Sequence, residues 1–172
     1  MTLRGARDSR DVVIYIDRIP GKTFAPPTEP VRLDQRSFMF TPHVLPILAG
    51  TNVAFPNSDE IRHNVYSPFP PDKFTLGTYP SGRIMYHTFS KPGVITLLCN
   101  VHAEMSAFVI ITETPYFAVT DSQGNYSIPN VPAGTYTLRT WYEQLKPGQP
   151  GPARAITVGE TGTAVADFDI GK

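Results

Sequence analysis

The chain has 172 residues, 41% of them hydrophobic, which is enough to fill a core in one ordinary domain or two small ones and excludes disorder as the main state. Lys+Arg and Asp+Glu each total 15, so the formal net charge is +0, and neither a nucleic-acid backbone nor an anionic membrane surface is an expected partner. The apolar runs, Val94–Leu98 and Val109–Ile111 among them, fall far short of the roughly 18 residues that span a bilayer as a helix, and no membrane span is expected.

At the N-terminus, Met1 to Arg10 carries charges but no apolar stretch, so no secretory signal is read there; an exported chain whose signal had been removed reads the same way. From there on, 18 prolines and 13 glycines interrupt the sequence so often that long helices are excluded. Between these breakers the sequence is β-rich. Strands are expected at Val12–Ile16, Thr51–Phe55, Gly93–Leu98, Ala107–Thr112, Tyr126–Ile128, Thr135–Trp141 and Ala155–Val158, an all-β pattern typical of sandwiches or barrels. No G-x-G-x-x-G, P-loop or H-E-x-x-H motif occurs, which removes the nucleotide-binding and zinc-protease readings.

Two seams divide the chain: a Pro-rich linker at 20–30 and Thr114-Pro115. The blocks so defined are 31–113 and 114–172. The second is small for an independent sandwich, and the strand Val12–Ile16 has no local partner. We therefore expect an outer domain completed by residues 11–17, with the middle block inserted into it. Within the C-terminal block, Asp121-Ser122-Gln123-Gly124-Asn125 reads as a polar turn between antiparallel strands.

Chemistry concentrates in the middle block. Cys99, the single cysteine, excludes an intramolecular disulfide and is followed by His102 and Met105, with His63-Asn64 upstream after Phe55-Pro56-Asn57-Ser58-Asp59. A thiolate at a strand end, an imidazole three residues on and a thioether three beyond that surround one point if the loop curls back. The second imidazole then comes from a neighbouring strand. Soft thiolate and thioether with two imidazoles select copper over magnesium or calcium; zinc also accepts Cys and two His but has little use for a thioether, so Met105 favours copper. His43 and His87 sit in no ligand motif and read as structural. Glu104 offers a hard oxygen unsuited to such a site, and Asp59 and Glu60 read as turn residues. Trp141, Tyr136 and Tyr142 are expected in the outer core. A catalytic Cys99–His102 dyad is disfavoured by its short spacing and by the lack of a Gly-rich oxyanion segment.

On these residues, Phe55-Pro56-Asn57-Ser58-Asp59, His63-Asn64-Val65 and Gly93–Leu98 running into Cys99-x-x-His102-x-x-Met105, the middle block resembles a cupredoxin of the plastocyanin and amicyanin type. The resemblance implies a Greek-key β-sandwich with one type 1 copper per chain, held by His63, Cys99, His102 and Met105. It also implies that Asn64 ties the two ligand loops together near the Cys99 sulfur. Thr120–Leu138 resembles the carboxypeptidase regulatory-like, transthyretin-like β-sandwich, so the fold implied is a cupredoxin sandwich plus a smaller transthyretin-like one.

The function these resemblances imply is a blue-copper protein, not an enzyme, carrying single electrons between redox protein partners. His102 is the expected exit, and Pro68, Phe69, Pro70 and Ala103 form the expected docking patch. The alternative is a copper trafficking or tolerance protein holding the metal for delivery. Copper carriers of this kind work outside the cytoplasm, so a periplasmic or otherwise exported location is expected.

Overall fold

The computed structural model describes residues 10–170, so most of the stretch read above for a secretory signal lies outside the described residues. It is all-β, with no helix among the described residues and hence none long and apolar enough to cross a membrane. Its strands are β1 (Val13–Ile16), β2 (Val31–Arg32), β3 (Asp34–Arg36), β4 (Met39–Thr41), β5 (Val44–Leu48), β6 (Thr51–Pro56), β7 (His63–Ser67), β8 (Phe74–Tyr79), β9 (Ile84–Phe89), β10 (Gly93–Leu98), β11 (Ser106–Thr112), β12 (Phe117–Val119), β13 (Gly134–Trp141) and β14 (Ala153–Val158). The chain forms two compact units: Phe24–Thr112, and a second that joins the chain up to Thr23 with the chain from Glu113 onward.

In the Phe24–Thr112 unit a five-stranded sheet in the order β5-β11-β10-β7-β8 faces a three-stranded sheet, β2-β6-β9, with β3 and β4 as a separate hairpin. The β5·β11 and β2·β6 pairs are parallel and the others antiparallel. Alternate residues of these strands point inward: Val53 and Phe55 from β6, Phe89 from β9, Ile95 and Leu97 from β10, and Ala107, Val109 and Ile111 from β11 meet in one buried cluster. The Pro-rich stretch expected as a linker is divided, because residues from Phe24 onward belong to this unit. Pro26 is laid against the β5–β6 turn, where Gly50 has φ +90° and a Cβ built there would come within 3.1 Å of the proline ring, so the left-handed backbone and the close approach both favour glycine.

The other unit is built on a four-stranded sheet, β12-β1-β13-β14. β1 is an inner strand: Val13 lies opposite Val119 on one side and Trp141 on the other. An inner strand packed on both faces has no reason to alternate, and Val13 and Ile14 are both fully buried in an unbroken apolar run. Ile14, Ile16 and Leu138 form the core with Ala166, Phe168 and Ile170, while Tyr136 and Tyr142 pack against it half-buried. The Arg139 Nε donates to Asp17 Oδ2, linking β13 to the end of β1. The segment Tyr126–Ile128, expected as a strand, is irregular. Asp121 draws the preceding chain into a tight loop by accepting the Gln123 and Asn125 amides at 2.9 Å each, and Pro129 and Pro132 remove ladder donors beyond it. Tyr126 and Ile128 nonetheless lean on the core, so their apolar character serves packing without a ladder.

Candidate metal centre

Antiparallel pairing assembles the site. β10 lies beside β7 with Leu98 opposite Tyr66, so the chain leaving β10 at Cys99 runs over the start of β7, where His63 sits. The loop from Cys99 to Met105 is closed by two backbone bonds, Cys99 N–H to Met105 O at 3.3 Å and Met105 N–H to His102 O at 3.1 Å, before β11 begins opposite Leu98. This curl turns His102 back toward Cys99 and His63.

The three side chains converge. His63 Nδ1 and His102 Nδ1 face each other at 3.1 Å, Cys99 Sγ lies 4.0 Å from His63 Nδ1, and one donor atom from each residue falls within 4.8 Å of the others. Two nitrogens each bound to one ion at about 2.0 Å stand about 3.3 Å apart in a tetrahedral set and about 3.5 Å in a trigonal one, so the 3.1 Å spacing is within a few tenths of an ångström of what a single bound cation needs. His63 is fully buried and Cys99 nearly so, while His102 is the more exposed of the three. Met105 is buried in the core cluster at the end of the same loop.

The orientation of His63 has its own support. Its Nε2 donates to Asp59 Oδ2 at 2.8 Å. An ionised carboxylate can only accept, so the ring proton lies on Nε2 and the Nδ1 lone pair points into the site. Asp59 also accepts the amides of Ser37 at 2.6 Å and Phe38 at 3.0 Å. Burial raises the Asp59 carboxyl, but the bonds from the Phe38 amide, the His63 ring and the Ser37 amide outweigh it and hold its pKa below the ordinary value. Asn57 shapes the loop that presents Asp59: its Nδ2 donates to Ile61 O at 2.8 Å and Tyr79 O at 3.2 Å, and its Oδ1 accepts the Asp59 amide at 3.1 Å.

Beneath His63, its cross-strand neighbour Tyr79 donates its hydroxyl to Phe55 O at 3.0 Å and accepts from Gln35 Nε2, which also donates to Pro56 O at 3.1 Å. Burial pushes the Tyr79 phenol well above its ordinary pKa. These neutral bonds fasten β3, β6 and β8 under the site.

The other residues named from the sequence are placed as follows. Asn64 is buried on β7, and its Nδ2 donates to Thr75 Oγ1 on β8 at 3.3 Å while its Oδ1 is buried without a partner; its side-chain bond thus runs to β8, not to the 99–105 loop. Pro68, Phe69 and Ala103 are exposed. His43 lies outside the cluster with its Nδ1 3.1 Å from Ser106 O, and His87 pairs with Asp72 at 2.8 Å and stacks on Phe74.

Sequence reasoning missed two residues. Phe38, at the tip of the β3–β4 hairpin, sets its ring edge-to-face against both imidazoles, 5.2 Å from His102 and 6.1 Å from His63 between centroids. Asp59 serves a turn, but that turn is the Phe38 hairpin, and the same carboxylate holds the His63 ring. Its place four residues before His63 is the one local signal that pointed to it.

A family model described as domain II of polysaccharide lyase family 4 matches residues 92–165, a stretch that begins just before β10 and ends beyond β14. That is the match found for the C-terminal block, where the resemblance had implied a carboxypeptidase regulatory-like module. No curated protein sequence matches. Among solved structures, the chain is similar to a Cu-containing nitrite reductase from Thermus scotoductus SA-01, at 26% identity and TM-score 0.48, over 58% of this chain and 25% of that one; it thus spans about a quarter of the reductase. It is also similar to a purple cupredoxin from Nitrosopumilus maritimus, at 22% identity and TM-score 0.44, over 48% of this chain and 99% of that one. A third likeness is to a methionine-to-alanine mutant of amicyanin with Cu(I), at 18% identity and TM-score 0.45, over 48% of this chain and 81% of that one.

Proposed function

We propose that this chain is a mononuclear copper protein that carries single electrons between redox partners outside the cytoplasm, with one type 1 copper per chain. His63, Cys99 and His102 hold the ion and Met105 supplies a weak axial sulfur. The observation that carries the reading is the convergence of two imidazole nitrogens and the Cys99 sulfur within 4.8 Å. When bound, copper supplies a one-electron couple. The protein's part is to keep the donors fixed: Asp59 orients His63, the two backbone bonds of the 99–105 loop hold Cys99 and His102 in register, and Tyr79 and Gln35 brace the strands below.

His102 is the most exposed of the three and is the proposed exit for the electron, with Pro68, Phe69 and Ala103 as the apolar face for brief docking. With Met105 as a fourth donor beside the three that converge, the proposed set would leave no position for substrate, which favours a carrier over an enzyme.

Titration with Cu(II), followed by visible absorption and electron paramagnetic resonance, tests the reading. An intense thiolate-to-copper band, saturation at one copper per chain and loss of the band in Cys99→Ser are expected. A colourless protein that takes up no copper overturns it.

A further inference from the structure

The β3–β4 hairpin turns through Ser37 and Phe38, at φ 54° and 59°, between the paired residues Arg36 and Met39. Two consecutive left-handed residues make the mirror-image turn that favours Asn-Gly, and a bulky aromatic there is conformationally unfavourable. The chain nevertheless puts phenylalanine at the second position, and it gains no core by doing so, since Phe38 is 55% exposed.

Two further observations say what the ring does. Its ring meets both His63 and His102, and among the described residues the two imidazoles otherwise make ring contacts only with each other. The turn is also clamped from outside the hairpin, by the Asp59 carboxylate that accepts both turn amides and at the same time holds His63 Nε2. One carboxylate thus fixes a ligand ring and the aromatic that lies over it. A strained residue held over a site by the site's own support points to a role at that site.

We propose that Phe38 is a specificity-determining shield over the His63–His102 pair, which keeps water and small anions from reaching a bound ion and so keeps the site closed. This rests on the copper reading above and adds to it a residue outside the ligand set. An apolar shell controls solvent access to a metal site, and the hairpin contributes to it the Phe38 ring, which meets both imidazoles.

The test uses the full chain and the variants Phe38→Gly, Phe38→Ala and Phe38→Trp. Glycine suits the left-handed position, so Phe38→Gly relaxes the turn while removing the ring. In Cu(II)-loaded protein titrated with sodium azide, Phe38→Gly and Phe38→Ala are expected to keep the thiolate-to-copper band. The azide concentration that perturbs it falls about tenfold below that of wild type, and Phe38→Trp stays resistant. In metal-free protein, acylation of His102 by diethyl pyrocarbonate, read by mass spectrometry, rises about tenfold in the same two variants while His87 is unchanged as an internal reference. Equal azide response in wild type and Phe38→Gly, or equal His102 acylation, overturns the proposal. Absence of the band in wild type is a failure of the copper reading alone, because the acylation comparison still decides whether Phe38 covers the ring.

Discussion

His63 and Asp59 share one short bond, Nε2 to Oδ2 at 2.8 Å, and through it the orientation of a buried imidazole depends on a loop carboxylate. Asp59→Asn keeps the shape but removes the charge that fixes the ring proton on Nε2. We expect it to lower copper affinity about 10- to 100-fold, measured by competition with a copper chelator, with the far-ultraviolet circular dichroism unchanged.

Met105 lies in the core at the end of the ligand loop, so its replacement tests packing and electronics together. Met105→Leu nearly conserves volume and should cost less than about 1.5 kcal/mol in urea unfolding. If Met105 supplies the axial sulfur as proposed, its loss favours the reduced ion, so the reduction potential should rise in Met105→Leu and fall in Met105→Gln, whose oxygen favours the oxidised one; voltammetry on the loaded protein reads both.

Ile14 is fully buried on the inner strand of the outer sheet. Ile14→Ala should destabilise that unit by about 2–5 kcal/mol, read as a lower urea midpoint in the fluorescence of Trp141, the single tryptophan, on neighbouring β13.

Tyr126 donates its hydroxyl to Ala166 O at 3.1 Å, and burial, with the nearby Asp167 charge, pushes its pKa up to about 12. The folded form therefore holds the proton more tightly than the unfolded chain, whose phenol titrates near 10. This contribution to stability is full below about pH 10 and is lost as pH rises toward 12. Tyr126→Phe should lose the hydrogen bond at neutral pH but show a smaller drop in thermal midpoint between those two values.

The all-β class was legible because prolines and glycines excluded helices and left short runs rich in branched and aromatic residues. β1, β6, β10, β11, β13 and β14 all fall on runs of that kind. The strands that escaped notice have weaker patterns. β8 and β9 alternate with exposed positions, β3 carries Asp, Gln and Arg, and β5 contains a proline, which its place at the sheet edge tolerates. His63, Cys99 and His102 were legible because metal-donor chemistry depends on residue type and spacing, both written in the chain. Phe38 and the second duty of Asp59 were not, because a hairpin tip and a loop more than twenty residues apart meet only in the fold. Nothing in Arg36-Ser37-Phe38-Met39 announces a left-handed turn, since that turn is held by a partner outside it.

The placement of β1 between β12 and β13 also sets an order of events during synthesis. β1 leaves the ribosome before either strand that flanks it, since both lie beyond Glu113, so its apolar residues lack those partners while all of Phe24–Thr112 is made. Contacts that close so long a loop form slowly, whereas β10 and β11 pair across the short 99–105 loop. A chain stopped at Thr112 already carries every proposed copper ligand but neither neighbour of β1, so the outer sheet forms only after β12 and β13 have been made.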